Sequence, residues 1–414
     1  MPARPAQVSV AFLPFNLVLK MLSLLRPLLL SGALLCGELH AGSSPSEPLL
    51  STSWELYYAR SARLLQQDEA TLQAERQALR QSDFSLPTPT RRFGFEPDLP
   101  AAFYQSAAGR ELLQAILSLQ TPSGGWSKRT DMRIARQSGQ HWGVEPNYVP
   151  TFDNSATTTQ LRVLARAYNA TAEPLYRQAF TRGITLLLQA QYPNGGWPQS
   201  FPLRGGYHDH ITLNDEVTEE VLSLLYAVST AETEFAFVDA SLQQQAGQAF
   251  SRGLKLLLQL QQRDEAGLSL WAAQYHHRTL QPAWARAYEM PALAVMESAS
   301  LLDFLLSLPK PSVELKQSIH AAAGWLARHA ITDQHWHPQL RVLQAKAGAG
   351  PLWPRFAELN TNRPIFGDRD GELYYDVHQV SLERRQGYAW YTERPAPTLK
   401  HYQRWRTAFN DAAK

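Results

Sequence analysis

Two short stretches of this 414-residue chain set a carboxylate beside a carboxamide just ahead of an apolar helical pattern. The first runs Phe152-Asp153-Asn154-Ser155-Ala156-Thr157-Thr158-Thr159-Gln160. The second runs His208-Asp209-His210-Ile211-Thr212-Leu213-Asn214-Asp215-Glu216. One polar side chain at a helix entrance is an ordinary N-cap, but two in a row exceed what a single helix end requires. If these loops converge, they form an all-oxygen site suited to a hard cation such as Ca²⁺. His208, Asp209 and His210 open a zinc alternative, which lacks the His-x₃-His helical pair that would support it. A third stretch, Pro282–Pro291, places Arg286 three residues before Glu289. Its plainest reading is a surface ion pair worth under about 1 kcal/mol. A fourth, Thr361–Gly371 with Glu383–Tyr391, is rich in arginine and has a turn signal at Asp370-Gly371.

These loops need rigid elements to hold them, and the sequence supplies helices. Leu117–Trp126 and Leu188–Trp197 resemble one another, each an apolar run ending in Gln, then a turn, Gly-Gly and Trp. A weaker third copy runs from Leu257 through Gln261 to Trp271. The first two tryptophans stand 71 residues apart, room for two helices, so stacked helix pairs are the natural architecture. Helical periodicity falls at 105–120, 155–170, 174–191, 215–230, 239–262, 291–308 and 313–330, while strand-like alternation is scarce. The expected class is therefore all-α, with the interesting residues on polar Gly/Pro-rich loops. For the Gly-Gly-Trp turns the favoured reading is structural, a glycine turn with Trp plugging the helix pair. An N-terminal arm is expected to be helical from about Ser51 to Gln81, with Ser51 or Ser53 as N-cap. A Pro-rich turn and Arg91-Arg92 separate it from the body.

Hydrophobic residues make up 44% of the chain and charged residues 18%, a globular balance. Lys and Arg number 39 against 37 Asp and Glu, which gives no case for a nucleic-acid binder. The 11 tryptophans suit either a carbohydrate cleft or a packed aromatic core. The single cysteine, Cys36, excludes an internal disulfide and a cysteine-rich zinc site. Residues 1–41 read as a leader whose signal peptide starts near Met21, with an apolar core at Leu28–Leu35 and a cleavage site at Leu39-His40-Ala41. A lipidated Cys36 is the alternative. This divides the chain into leader (1–41), linker and arm (42–92) and catalytic body (93–414), and it places the mature protein outside the cytoplasm, secreted or periplasmic, with no membrane contact after signal removal.

The four stretches, with Trp126-Ser127-Lys128-Arg129-Thr130-Asp131-Met132, together resemble the pectate lyases of polysaccharide lyase family 10. The resemblance covers about 95–395. It is sharpest at Phe152-Asp153-Asn154, Gly195-Gly196-Trp197-Pro198-Gln199, His210–Asp215, Ala285-Arg286-Ala287-Tyr288-Glu289 and Asn362-Arg363-Pro364-Ile365-Phe366. It implies an (α/α) toroid, calcium dependence and cleavage of polygalacturonate by β-elimination; the chain is expected to be a monomer. On that basis Asp153 and Asp215 are the expected metal ligands and Arg286 the expected proton abstractor. Lys128, Asn154, Arg363, Arg369, Asn214 and Trp197 are expected to contact substrate. The chain departs from the pattern at Ser127, at Glu219, at His276 and at Ala294-Val295-Met296.

Other classes remain open on the residues alone. A toroidal glycoside hydrolase would use Asp153 and Asp215 as an acid–base pair. A non-catalytic pectin-binding protein would need the arginines without the aspartates. A triterpene-cyclase reading of the Gln-x-x-x-Gly-x-Trp spacing fails for want of an acid cluster, because Arg369 would keep Asp368 and Asp370 ionised.

Overall fold

The computed structural model describes residues 49–83 and 85–411, with side chains as far as 408. The expected leader, Cys36 and the linker up to Pro48 lie outside the described residues. Helix α1 (Trp54–Leu79) is the N-terminal arm. Helices α2 (Ala101–Gln105) and α3 (Ala107–Ser118) open the body. Three pairs follow: α4 (Thr158–Thr171) with α5 (Pro174–Ala190), α6 (Val217–Ser229) with α7 (Ala240–Leu260), and α8 (Val295–Ser307) with α9 (Val313–Arg328). A short α10 (Leu382–Gly387) precedes α11 (Pro395–Asp411), which packs on α8 and α9. Within and between pairs the helices pack in succession, an incomplete (α/α) toroid. Helix α11 carries no expectation from the sequence. Pro395 and Pro397 obscure it, yet both fall in the first turn, where a missing N–H costs nothing.

Local chemistry fixes the helix starts. The carboxylate of Asp239 accepts from Leu242 N at 2.9 Å and the hydroxyls of Ser106 and Ser312 accept from Gly109 N and Leu315 N. Ser53 does stand at the N-cap of α1 but makes no side-chain cap bond.

The repeat is explained by a latch. At the end of α3, Gln120 Nε2 donates to Gly124 O in its own turn and to Ala179 O on α5. Gln191 does the same to Gly195 O and Ala249 O, and Gln261 to Ser269 O and Ser318 O. Each carboxamide thus ties its turn to the following outer helix. The tryptophan then folds back: Trp126, Trp197 and Trp271 donate their indole N–H to Ile116 O, Leu187 O and Leu257 O. A fourth, Trp353, donates to Leu326 O, so the period recurs once more than the sequence reading found. All four indoles are fully buried. Gly195 sits at φ +104°, and a Cβ there would meet Arg252 O at 2.6 Å, so only glycine fits.

The same end of the molecule carries the long loops, and short pairings stitch each to the next. Phe152 N donates to Gln199 O, Leu213 N to Ala273 O, and Val295 N to Arg355 O. Each acceptor stands two residues after its tryptophan. Ile211–Thr212 pairs antiparallel with Gln274–Tyr275, and Leu293–Ala294 with Phe356–Ala357. Beneath the 288–390 loops lies a second small apolar core containing Tyr288, Met290, Phe366 and Trp390.

Helix α1 is tied to these loops rather than left as a free arm. Its buried Asp68 accepts from Ser123 N at 2.7 Å and Ser123 Oγ at 2.6 Å. Glu75 grips Arg136 and Gly139 N, Tyr57 donates to Ala190 O, and Ser61 Oγ accepts from Leu203 N.

Candidate active site

Two irregular turns form the centre. Phe152 and Leu213 adopt nearly the same backbone angles (φ −105° and −102°), and the turns agree again two and three residues later. Asn154 (φ +53°) and Asp215 (φ +51°) both lie in the left-handed region, followed by Ser155 (+59°) and Glu216 (+63°). Asp153 therefore corresponds to Asn214 and Asn154 to Asp215: the same scaffold holds the acid and amide in opposite order. Left-handed turns in non-glycine residues store strain of order 1–3 kcal/mol each. The scaffold is held by hydroxyls, since Thr157 Oγ1 donates to Thr151 O and Thr218 Oγ1 to Thr212 O. Neither acid caps the helix that follows, so the simple capping reading of these motifs is not realised.

The two turns pack against each other, which brings Asp153 and Asp215 together. Lys128 Nζ ion-pairs with Asp153 Oδ2 and lies 3.8 Å from Glu145. Asp153 Oδ1 is buried with no hydrogen-bond partner among the described residues. Burial first, and next the neighbouring Asp153 and Glu297 carboxylates, push the Asp215 pKa well above the usual carboxylate range. Its Oδ2 accepts from Asn214 Nδ2 at 2.7 Å, and Asn214 Oδ1 accepts from Arg355 at 3.3 Å. Arg355 itself is buried and ion-paired with Glu297.

Across the cavity, Glu289 chelates Arg286, with Nε donating to Oε2 at 2.7 Å and Nη2 to Oε1 at 2.5 Å. Tyr388 donates to the same carboxylate at 2.8 Å. The i,i+3 pair expected from sequence is thus real, but Glu289 is buried rather than superficial. Burial pulls the Arg286 pKa down, yet the Glu289 hydrogen bonds and charge outweigh it and leave the guanidinium more firmly protonated than usual. Nη1 has no partner among the described residues. The enclosed space is about 250 Å³, lined by Lys128, Asp153, Asn154, Asn214, Asp215, Arg286 and Glu289 among others.

The remaining expected contacts fall elsewhere. Trp197 is fully buried with its indole nitrogen on Leu187 O, so it cannot touch a substrate; it is a structural plug, as the Gly-Gly-Trp pattern argued. The tryptophan exposed beside this site is Trp284, 42% accessible and two residues before Arg286. Arg363 lines neither this cavity nor its neighbour; its guanidinium lies 4.1 Å from the Tyr375 ring. Arg369 is paired with Glu383 and lies 5.9 Å from the centre of the Tyr288 ring, which Arg286 also approaches, at 4.9 Å. The His208–Asp209–His210 zinc alternative does not assemble: Asp209 accepts from Arg204 N and Gly205 N, while His208 packs on Tyr148 and Tyr207. Among the described residues no group of three or more His, Cys, Asp or Glu gathers to hold a metal. Sequence reading missed Arg355, Gln199 and Tyr148. Gln199 had a signal, since like Lys128 it stands two places after a repeat tryptophan; Arg355 does so too, but after Trp353, a copy the sequence does not announce.

The residues present suit a hard cation. A buried carboxylate oxygen lacks a partner, a second carboxylate is destabilised by the first, and two carboxamides flank them. Calcium takes six to eight oxygen ligands, so a pair of aspartates needs oxygens from the ligand to complete the shell. The donor set fits a cation shared with an anionic substrate better than one caged by protein alone.

A polar cleft with opposed acidic and guanidinium walls, set on a helical toroid, defines an enzyme that handles a charged chain molecule. Comparison with known proteins agrees. A family model described as pectic acid lyase matches residues 120–399. Two solved structures of the family 10 polysaccharide lyase from Cellvibrio cellulosa are similar at 31% identity and a TM-score of 0.66. One is an Asp-to-Ala mutant in complex with trigalacturonic acid, covering 74% of this chain and 97% of that one; the other covers 74% and 96%. A search of curated protein sequences finds no match. The chain belongs to the pectic acid lyase family and is a polysaccharide lyase.

Proposed function

We propose that this enzyme cleaves α-1,4-linked polygalacturonate by calcium-assisted anti β-elimination, giving 4,5-unsaturated oligogalacturonides. The observation that carries the reading is the convergence of Asp153 and Asp215, with one buried carboxylate oxygen unpartnered, opposite Arg286. The reaction removes the proton on C5, forms the C4=C5 double bond with that electron pair, and breaks the C4–O bond to the leaving sugar. Its obstacle is the ionised carboxylate next to C5, which resists further negative charge.

Asp153 and Asp215 would hold Ca²⁺, with Asn154 and Asn214 beside them. When bound there, the cation supplies neutralisation of the substrate carboxylate. Lys128 adds positive charge at the same wall, and Arg355 holds Asn214 in position from behind. Arg286 faces this wall with Nη1 free to meet the C5 proton. A guanidinium is an unusual base, because its pKa lies above about 12. Here Glu289 aligns the group and keeps it protonated in the resting site, while the positive charge of Lys128, and of a cation held by Asp153 and Asp215, would oppose that charge and favour loss of the guanidinium proton to solvent. The site residues, the calcium requirement and an export leader are parts of this one reading. No described helix is long and apolar enough to cross a membrane.

The competing chemistry is hydrolysis by the same two acids, for which the raised pKa of Asp215 would suit a general acid. The bond-breaking product separates them. Purified protein on polygalacturonate is expected to generate ultraviolet-absorbing unsaturated ends in step with new reducing ends. New reducing ends without ultraviolet absorbance would replace elimination by hydrolysis. Neither signal, with retained binding, would leave a pectin-binding protein.

A further inference from the structure

Beside the catalytic cavity lies a larger one of about 480 Å³. Lys128, Arg129, Asn154 and Asp215 line both, so the two adjoin. Its far wall comes from a segment ahead of the family-matched region: Arg91, Arg92, Phe93 and Phe95. Met296, which departs from the pattern of the resembling family, faces them.

We propose that residues 91–95 form an additional subsite for an ionised hexuronate unit of the polymer, so that long chains bind better than short ones. The inference rests on the reading of the enzyme as a polygalacturonate lyase. Three observations carry it. First, the charge is uncommitted. Lys128 is paired with Asp153 and Glu145, and Arg129 with Glu145, whereas Arg91 and Arg92 are exposed and have no acidic partner among the described residues. Glu297 is already neutralised by Arg355, and Glu216 accepts from Ser300 Oγ, leaving the two arginines as the open cationic positions of this cavity.

Second, the segment is fixed in place before any ligand arrives. Asp131 N donates to Thr88 O at 2.9 Å, Thr90 N to Arg129 O at 2.8 Å, and Met132 N to Phe93 O at 2.9 Å. Further along, Arg166 Nη1 reaches Pro97 O at 3.1 Å. Gly94 turns between the phenylalanines at φ +80°, so close to Asp131 that a Cβ would lie 2.3 Å from its carboxylate. A loop tied down this way gives up little entropy on binding. Its backbone runs alongside residues 129–132, directly after Lys128.

Third, the wall joins charge to an aromatic surface. Phe93 is buried and supports Phe95, 6.2 Å away between ring centroids, and Phe95 is half-exposed. A sugar ring presents C–H groups on its face and a carboxylate at its edge. The pair Phe95 with Arg91 and Arg92 offers a partner for each.

Calorimetric titration with trigalacturonate and hexagalacturonate at fixed ionic strength, with calcium present and in an Arg286→Lys background so that the ligand is not consumed, tests this. The double variant Arg91→Ala/Arg92→Ala is expected to weaken hexamer binding about tenfold and trimer binding less than about threefold. Phe95→Ala, which leaves charge unchanged, is expected to weaken the hexamer about threefold and the trimer hardly at all. Equal losses on both lengths, or no loss on the hexamer, would overturn the subsite. The readout is binding, so it stands apart from catalysis. Selective loss of hexamer affinity, where the enzyme with Arg286 intact forms no unsaturated product, would support the subsite while refuting the lyase reading.

Discussion

Glu289 decides how Arg286 behaves. Held at 2.5 and 2.7 Å by a buried carboxylate, the guanidinium is aligned toward the aspartates and at the same time kept protonated. The neutral guanidine is the reactive form, so activity should rise with pH toward the Arg286 pKa. Glu289→Gln removes the charge that raises that pKa, and the rise in kcat is expected at lower pH than in the wild type. Lost alignment should also lower kcat at the optimum by roughly ten- to a hundredfold. A pH profile of kcat that stays put or moves upward would contradict Arg286 as the base. Of the residues in this cavity, Asp153, Asn154, Asn214, Asp215, Lys128 and Arg286 were legible in the sequence, because polar pairs before helices and a family resemblance both mark them. Arg355 was not. It sits in Trp353-Pro354-Arg355, where the Gln and Gly-Gly cues of the other copies are missing. Trp197 is a contact only on the family resemblance; the structural reading of its Gly-Gly-Trp turn is the one that matches its buried indole.

At the scale of elements, the helix pairs were readable and their stitching was not. Apolar periodicity and the Gln–Gly-Gly–Trp turns announce the pairs. The loop-to-loop bonds, such as Phe152 N to Gln199 O, are between backbone atoms and leave no residue signature. The arm shows the same limit. Nothing in α1 advertises Asp68, yet that residue is the buried clamp on Ser123. Burial pushes Asp68 up to about 6, against the lowering effect of its two Ser123 hydrogen bonds. The folded state therefore holds its proton at a pH where the unfolded chain, near the ordinary 3.8, has lost it. Stability from this group is greatest below about pH 4, falls as pH rises to about 6 and is flat beyond, a change on the order of 2–3 kcal/mol. Asp68→Asn should abolish that share of the slope. Denaturant unfolding of both proteins at pH 4.5 and pH 7 measures it, and an unchanged difference between the two pH values would rule the clamp out as its source.

The described residues form an incomplete ring of latched helix pairs whose loops, with the 91–95 segment, meet over one polar cleft. The toroid itself supplies no chemistry; it brings together two turns, 61 residues apart along the chain at Asp153 and Asn214, in one shared backbone form. What that form achieves is a pair of acids too close to be comfortable without a cation. The decisive measurement is the rate of ultraviolet-absorbing product from polygalacturonate as calcium is removed by a chelator and then restored, in the wild type and in Asp153→Ala. Wild-type activity is expected to vanish and return with calcium, while the variant stays at least about a hundredfold slower at any calcium concentration. Full wild-type turnover in the chelator, or an Asp153→Ala enzyme as fast as its parent, would contradict the account.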